Sequence, residues 1–291
     1  MAKRGERQGR ADRRGGVSPW VWGGLAVSAV LALVVFLLAR PAPTPIAPPA
    51  PPAPSAAVER LVPKVLAVHP HDPTCYTQGL LWQGGALYES CGQYGQSSLR
   101  RVDPASGEVR QRVAVPDADF AEGLALVGER LLQLTWREGV ALVYDRKTLA
   151  KTGQFPYTGE GWGLCFDGRR LVMSDGSDRL TLRDPQTFAV IFGSGELKVT
   201  REGVPVERLN ELECVGAAIY ANVWQSDEIL KIDPATGRVE ASIDASGLLS
   251  PEERAKADVL NGIAWNPETR RFWITGKDWP KMFEVELVDR P

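Results

Sequence analysis

A three-residue element recurs five times along this 291-residue chain: Gln78-Gly79-Leu80, Glu122-Gly123-Leu124, Trp162-Gly163-Leu164, Asn210-Glu211-Leu212 and Asn261-Gly262-Ile263. Self-similarity at intervals of about 40 to 50 residues is the mark of a repeat architecture, and it constrains the fold more than any other feature of the chain. After each element comes a short loop and then an apolar run, at residues 86–88, 131–134, 171–173, 219–223 and 272–274. A third strand follows, then a turn led by aspartate: Asp103-Pro104-Ala105-Ser106-Gly107, Asp145, Asp184-Pro185 and Asp233-Pro234-Ala235-Thr236-Gly237. Proline presets the first turn torsion, aspartate bonds the local backbone and glycine accepts a positive φ, so these segments read as hairpin turns. A fourth strand closes each unit, as at 109–115 and 239–243.

Five units of four short antiparallel strands predict an all-β chain, a five-bladed β-propeller. Only residues 251–257 read as a short helix. The fifth unit runs out after its third strand, 283–288, while an extra strand, 65–68, stands before the first unit. The expectation is that this N-terminal strand completes the last blade and closes the ring, which abolishes two open sheet edges. An open sandwich with coincidental spacing is the competing fold.

In a propeller the first strand of each blade lines the central axis. The recurring element therefore sets Gln78, Glu122, Trp162, Asn210 and Asn261 at equivalent points around it, and Trp136, Trp224 and Lys277, just past second strands, converge on the same rim. One carboxylate, one ammonium, amides and three indoles at one mouth are the makings of a ligand pocket. For any single inner-strand amide the lesser reading is that it merely satisfies backbone groups around the channel. That explanation is weak for Glu122, Lys277 and three rim indoles together.

The N-terminal end reads differently. Lys3, Arg4, Arg7, Arg10, Arg13 and Arg14 precede an uncharged apolar run from Trp20 to Ala39. At about 1.5 Å per residue such a run spans about 30 Å, the thickness of a bilayer core, whereas a cleaved signal peptide has a shorter apolar region of about 7–15 residues. The expected organisation is a basic cytoplasmic tail (1–19), a transmembrane signal-anchor (20–39), a Pro/Ala-rich linker (40–57) and a propeller domain (58–291) held outside the cytoplasm. The small residues after Arg40 leave cleavage, and a secreted form, as the alternative. A formal net charge of −2, with the clustered basic residues confined to the N-terminus, gives no nucleic-acid footprint. All four cysteines fall in the exported part, where disulfides persist. Cys165 and Cys214 follow the repeat elements of adjacent units, and Cys75 and Cys91 flank neighbouring strands of one unit. Pairings 75–91 and 165–214 fit that layout, although spacing alone does not fix connectivity. His69 and His71, the only histidines, form an H-x-H at a strand end, where solvated side chains are the expectation and a metal site the lesser reading.

Several stretches resemble, in order, the plant and bacterial glutamine cyclotransferases. They are Tyr76-Thr77-Gln78-Gly79-Leu80, Leu87-Tyr88-Glu89-Ser90, Tyr94-Gly95-Gln96-Ser97-Ser98-Leu99, Phe120-Ala121-Glu122-Gly123-Leu124, Leu134-Thr135-Trp136, Gly159-Glu160-Gly161-Trp162-Gly163-Leu164, Leu209-Asn210-Glu211-Leu212-Glu213, Ala221-Asn222-Val223-Trp224 and Thr275-Gly276-Lys277. The resemblance spans nearly all of 65–288. It implies a five-bladed propeller that acts on peptides or proteins with N-terminal glutamine, a catalytic Glu122 supported by Lys277, Asn210 and Gln78, and a substrate pocket shaped by Trp136, Trp162 and Trp224. Tyr76 stands where that family usually has Phe, which implies a tuned pocket. The four cysteines also replace commoner residues there, which fits added disulfides.

Cyclisation is attack of the substrate's own α-amine on its side-chain carboxamide with loss of ammonia, so an enzyme mainly selects a folded conformer and manages protons. Free α-amines titrate near about 7.7–8.0, and a modest general base suffices. Glu122 is the only acidic residue at the first position of a repeat element and is the expected acid/base; Lys277 and Asn210 are expected to stabilise the developing oxyanion. No metal or other cofactor is needed. Two rivals remain: a non-catalytic propeller that binds peptide ends, and a metal-dependent propeller lactonase in which Glu122, Asn210 and Asn261 supply oxygens to a divalent ion.

Overall fold

The inner strands are buried on both faces, as at residues 121–127, whereas an outer strand such as residues 109–114 alternates between half-buried and exposed positions, the period of two that a sheet with one solvated face requires. The computed structural model describes residues 57–191, 193 and 196–291. The expected tail, the apolar run Trp20–Ala39 and nearly all of the linker lie outside the described residues. Among the described residues no helix is long and apolar enough to cross a membrane.

The first strand, β1 (Glu59–Pro70), precedes the repeats. Unit one comprises β2 (Tyr76–Gln83), β3 (Ala86–Gly92), β4 (Ser98–Val102) and β5 (Val109–Ala114). Unit two comprises β6 (Ala121–Val127), β7 (Arg130–Thr135), β8 (Val140–Asp145) and β9 (Lys151–Pro156). Unit three is β10 (Leu164–Phe166), β11 (Leu171–Ser174), β12 (Arg179–Arg183) and β13 (Glu196–Lys198). A small hairpin, β14 (Thr200–Arg201) and β15 (Val204–Pro205), leads into unit four, which is β16 (Leu209–Val215), β17 (Ala218–Val223), β18 (Glu228–Ile232) and β19 (Val239–Asp244). The helix α1 (Pro251–Arg254), started by a Ser250/Glu253 capping box, is shorter than the expected 251–257. The last unit holds β20 (Leu260–Asn266), β21 (Arg271–Gly276) and β22 (Lys281–Asp289).

The first three units are separate four-stranded antiparallel sheets. β1 pairs antiparallel with β22 and supplies the missing fourth strand of the last unit. It is longer than the predicted 65–68, because its pairing with β22 runs from Leu61 to Pro70 and its first residues also pair in parallel with β19. That extra bridge merges the last two units into one eight-stranded sheet. The first strands touch in a closed cycle, β2 to β6 to β10 to β16 to β20 and back to β2, which is the ring of a five-bladed propeller. The Asp-led turns form as their chemistry demands: Asp103, Asp145, Asp184 and Asp233 each accept hydrogen bonds from backbone amides two or three residues on.

Five apolar clusters fill the seams between neighbouring units. Leu81, Leu99, Leu124 and Leu142 pack between units one and two, and Leu80, Leu87, Trp273 and Met282 pack where unit five meets unit one. Glycine in the repeat element permits the inner strands to approach. A Cβ on Gly79 would lie 2.6 Å from the Leu124 amide nitrogen, and one on Gly163 would run into the Asn210 carbonyl. Two disulfides, Cys75–Cys91 and Cys165–Cys214, close within unit one and between units three and four.

Candidate active site

In four of the five repeat elements the first residue is turned toward the axis by a local break in strand pairing. Register shifts fall at Gln78, at Glu122-Gly123, at Asn210-Glu211 and at Asn261-Gly262 in units one, two, four and five. A β-bulge re-aims a side chain that regular pleating would send into the sheet stack. The residues just past the second strands are fixed by a second recurring device. The amides of Trp136, Trp224 and Lys277 each donate to the carbonyl that precedes the first strand of their own unit: Phe120, Arg208 and Val259, at 2.9, 2.8 and 2.9 Å.

These two sets of positions enclose a cavity of about 250 Å³ lined by Tyr76, Gln78, Gln93, Phe120, Glu122, Trp136, Trp162, Asn210, Trp224 and Lys277. All eight residues singled out from the sequence as catalytic or substrate-binding line it. Asn261, which shares the repeat position, does not. It is buried behind the pocket, where Nδ2 donates to the Thr77 carbonyl at 2.9 Å and to Gln78 Oε1 at 3.1 Å. Gln78 Nε2 donates in turn to Glu122 Oε1 at 2.9 Å. The other carboxylate oxygen, Oε2, is buried with no hydrogen-bond partner among the described residues, and so is Asn210 Oδ1. Buried acceptors without partners are rare, and at the wall of a cavity they mark where a ligand completes the bonding.

Glu122, Lys277, Asn210 and Gln78 are almost fully buried. Burial pushes the Glu122 carboxyl well above the ordinary glutamate range, with the Lys277 charge pulling the other way. Burial likewise depresses the Lys277 ammonium, opposed by Glu122, Asp258 and Asp278. Its Nζ stands over the Tyr76 ring, 4.5 Å from the centroid, a cation–π contact that offsets part of the desolvation. The aromatic wall is tied together. Glu160 Oε2 accepts from the indole N–H of Trp136 at 2.8 Å and of Trp162 at 3.0 Å. Trp162 meets Trp224 edge to face at 5.5 Å, and Phe120 meets Trp136 at 5.7 Å.

Three site residues lay beyond the sequence reading, and each occupies a repeat-equivalent position. Phe120 and Glu160 stand two residues before Glu122 and Trp162, as Tyr76 stands two before Gln78; Gln93 follows β3 as Trp136 follows β7, Trp224 follows β17 and Lys277 follows β21. Aligning the units on their three-residue elements and on the ends of their second strands would have found all three. The histidines depart from expectation. His71 is not a solvated strand-end residue but is buried and hydrogen-bonded through both ring nitrogens, and His69 packs against Trp273 at 4.5 Å. His71, Cys75 and Glu89 lie close enough together to share a metal ion, yet the Cys75 sulfur is bonded to Cys91.

A model of the glutamine cyclotransferase family matches residues 33–287. A glutaminyl-peptide cyclotransferase of Arabidopsis thaliana is 43% identical over 230 residues, 77% of this chain and 71% of the relative. The crystal structure of Myxococcus xanthus glutaminyl cyclase superposes with a TM-score of 0.73 at 40% identity, covering 80% of this chain and all of that one. With its family-model match spanning most of its length and a curated relative at this identity, the chain belongs to the glutamine cyclotransferase family.

Proposed function

We propose that the chain is a glutaminyl-peptide cyclotransferase that converts N-terminal glutamine of peptides or proteins to pyroglutamate with release of ammonia, and that Glu122 is its general acid/base. The observation that carries the assignment of Glu122 is its buried carboxyl group, with one oxygen pinned by Gln78 and the other without a partner among the described residues at the cavity wall. The substrate's α-nitrogen attacks its own side-chain carbonyl carbon, forming the ring C–N bond, and Glu122 takes a proton from that nitrogen. Negative charge gathers on the carboxamide oxygen, facing Lys277 and the Asn210 amide, and electrostatic stabilisation of this kind is commonly the main source of rate enhancement in acyl transfer. Glu122 then passes its proton to the departing nitrogen, the old C–N bond breaks and ammonia leaves. One proton moves from amine to leaving group and none is consumed. A carboxyl held above its usual pKa suits both halves of that transfer. The indoles exclude water and fold the glutamine side chain toward its own amine.

Incubating the full chain with a glutamine-initiated dipeptide, with and without a chelator, tests this reading. Ammonia release that resists chelation and disappears in Glu122→Gln is the expected result; a folded chain that binds the peptide but releases no ammonia would make it a binding propeller. Against the lactonase reading stands Lys277, whose positive charge lines the cavity that would hold the ion, while Asn261 does not line it.

The apolar run Trp20–Ala39 with its basic flank supports a membrane anchor that leaves residues 58–291 outside the cytoplasm, and two disulfides accord with that compartment. Alkaline carbonate should leave the chain in the membrane pellet; release into the supernatant would favour the cleaved form.

A further inference from the structure

The ring closes between units five and one, and the same seam carries Lys277. The residue sits in a tight turn after β21, and its own unit holds that turn on one side. Lys277 N–H donates to the Val259 carbonyl at 2.9 Å, and the buried Trp279 indole donates to the Asp258 carbonyl at 3.0 Å. On the other side the turn is held by residues 71–75, the link between β1 and β2. His71 N–H donates to the Pro280 carbonyl and Asp278 N–H donates to the Cys75 carbonyl, both at 3.0 Å. The His71 ring adds a third bond, Nδ1 to the Trp279 carbonyl at 2.6 Å, while Nε2 lies 2.7 Å from Glu89 Oε1. Glu89 also accepts from Thr77 Oγ1 at 2.8 Å, and the Cys75–Cys91 disulfide fixes the far end of the link to β3. Arg100, paired with Asp72 at 2.8 Å, lies close by.

Both ring nitrogens of His71 therefore face acceptors, a carbonyl and a carboxylate. A neutral imidazole can donate through only one of them. Burial works against a charged Glu89, but His71, Arg100 and the Thr77 hydroxyl together hold its carboxyl below the ordinary range. The arrangement calls for an imidazolium that donates from both sides. An ion pair buried this fully is costly unless every member is bonded, and here each bond runs to the turn that presents the pocket's ammonium or to the strand that anchors it.

We propose that His71 is a positioning residue for Lys277: it clamps the 277–280 turn to β3 across the ring closure and so sets where the Lys277 charge stands in the pocket. This rests on the reading of Lys277 as the group facing the developing oxyanion. Its signature is a loss in kcat with KM nearly unchanged, because the charge matters most in the transition state.

Two substitutions separate the two ring nitrogens. In His71→Asn the side-chain amide takes the place of Nδ1 and retains the bond to Trp279; in His71→Gln it takes the place of Nε2, retains Glu89 and loses the turn. Steady-state ammonia release by the full chain should show kcat within about threefold of wild type for Asn and about tenfold or more lower for Gln, with KM within about twofold for both, as expected for a displaced catalytic charge. Melting temperatures of both variants are measured alongside. Equal kcat for the two, or a loss in kcat that merely follows the loss in melting temperature, would overturn the positioning role. A wild-type chain that is folded and releases no ammonia would instead sink the cyclotransferase reading on which the role depends.

Discussion

Replacing Glu122 by Gln tests whether one buried carboxylate handles both proton transfers. The substitution is nearly isosteric and leaves an amide oxygen to accept from Gln78 Nε2, so the walls of the cavity need not move. What is lost is the ability to take up and return a proton, which in general acid/base catalysis is worth about 10² to 10⁴ in rate, or about 3–5 kcal/mol of barrier. Stability should move the other way. The folded state holds the Glu122 proton more tightly than the unfolded chain, since burial raises the carboxyl well above its ordinary value of 4.5. Stability is therefore unpenalised at and below that pH and falls as pH rises from there through the raised value. Glutamine removes the penalty, so the variant should melt no lower than wild type at pH 5 and higher at pH 8. Ammonia release by a coupled assay, with thermal melts at both pH values, reads the two effects separately. A variant that keeps more than a tenth of wild-type kcat would refute the acid/base role, and one that melts well below wild type at pH 8 would refute the electrostatic reasoning.

The same raised carboxyl sets the acidic limb of the kcat/KM profile. Activity should fall with decreasing pH at an apparent value above 4.5, and a limb at or below 4.5 would contradict the burial argument. Glu160→Ala frees the Trp136 and Trp162 indoles, which it joins through one oxygen; KM should rise several-fold with a smaller change in kcat, seen in steady-state kinetics. The Cys165–Cys214 bond closes a separation of 49 residues, so the double Ser variant should lose about 4 kcal/mol in urea unfolding. Gln93 has a φ of 123°, which costs a non-glycine residue about 1–3 kcal/mol; Gln93→Gly should therefore raise the denaturation midpoint.

The parts of the fold written in local chemistry were legible in the chain. An aspartate whose carboxylate caps the amides two and three residues on makes a turn wherever it sits, so Asp103, Asp145, Asp184 and Asp233 marked their hairpins without any tertiary help. The recurring Gly-Leu pair marked the inner strands because only a missing Cβ lets β2 lie against Leu124. From those two signals followed the blade count and the ring closure by β1, and from the ring followed seven side chains of the cavity, with Tyr76 added by the family resemblance. What stayed hidden depends on partners distant in sequence. Nothing local to His71 says that its ring meets Glu89 on one side and the Trp279 carbonyl, 208 residues on, on the other. Glu211 makes the point sharply. It stands where the other four units place glycine, a departure that the sequence by itself does not explain. In the structure its two oxygens accept from Leu80 N–H at 3.3 Å and Ile263 N–H at 2.9 Å. It thus bonds unit four to units one and five beside Gln78, Asn210 and Asn261. Burial raises its carboxyl well above the usual range, with Glu213 adding to the shift and the two backbone bonds opposing it. A repeat announces its geometry through the positions that stay the same, and its function through the positions that break the pattern. Glu122 breaks it at the cavity wall and Glu211 between neighbouring inner strands, and only the folded ring distinguishes the two.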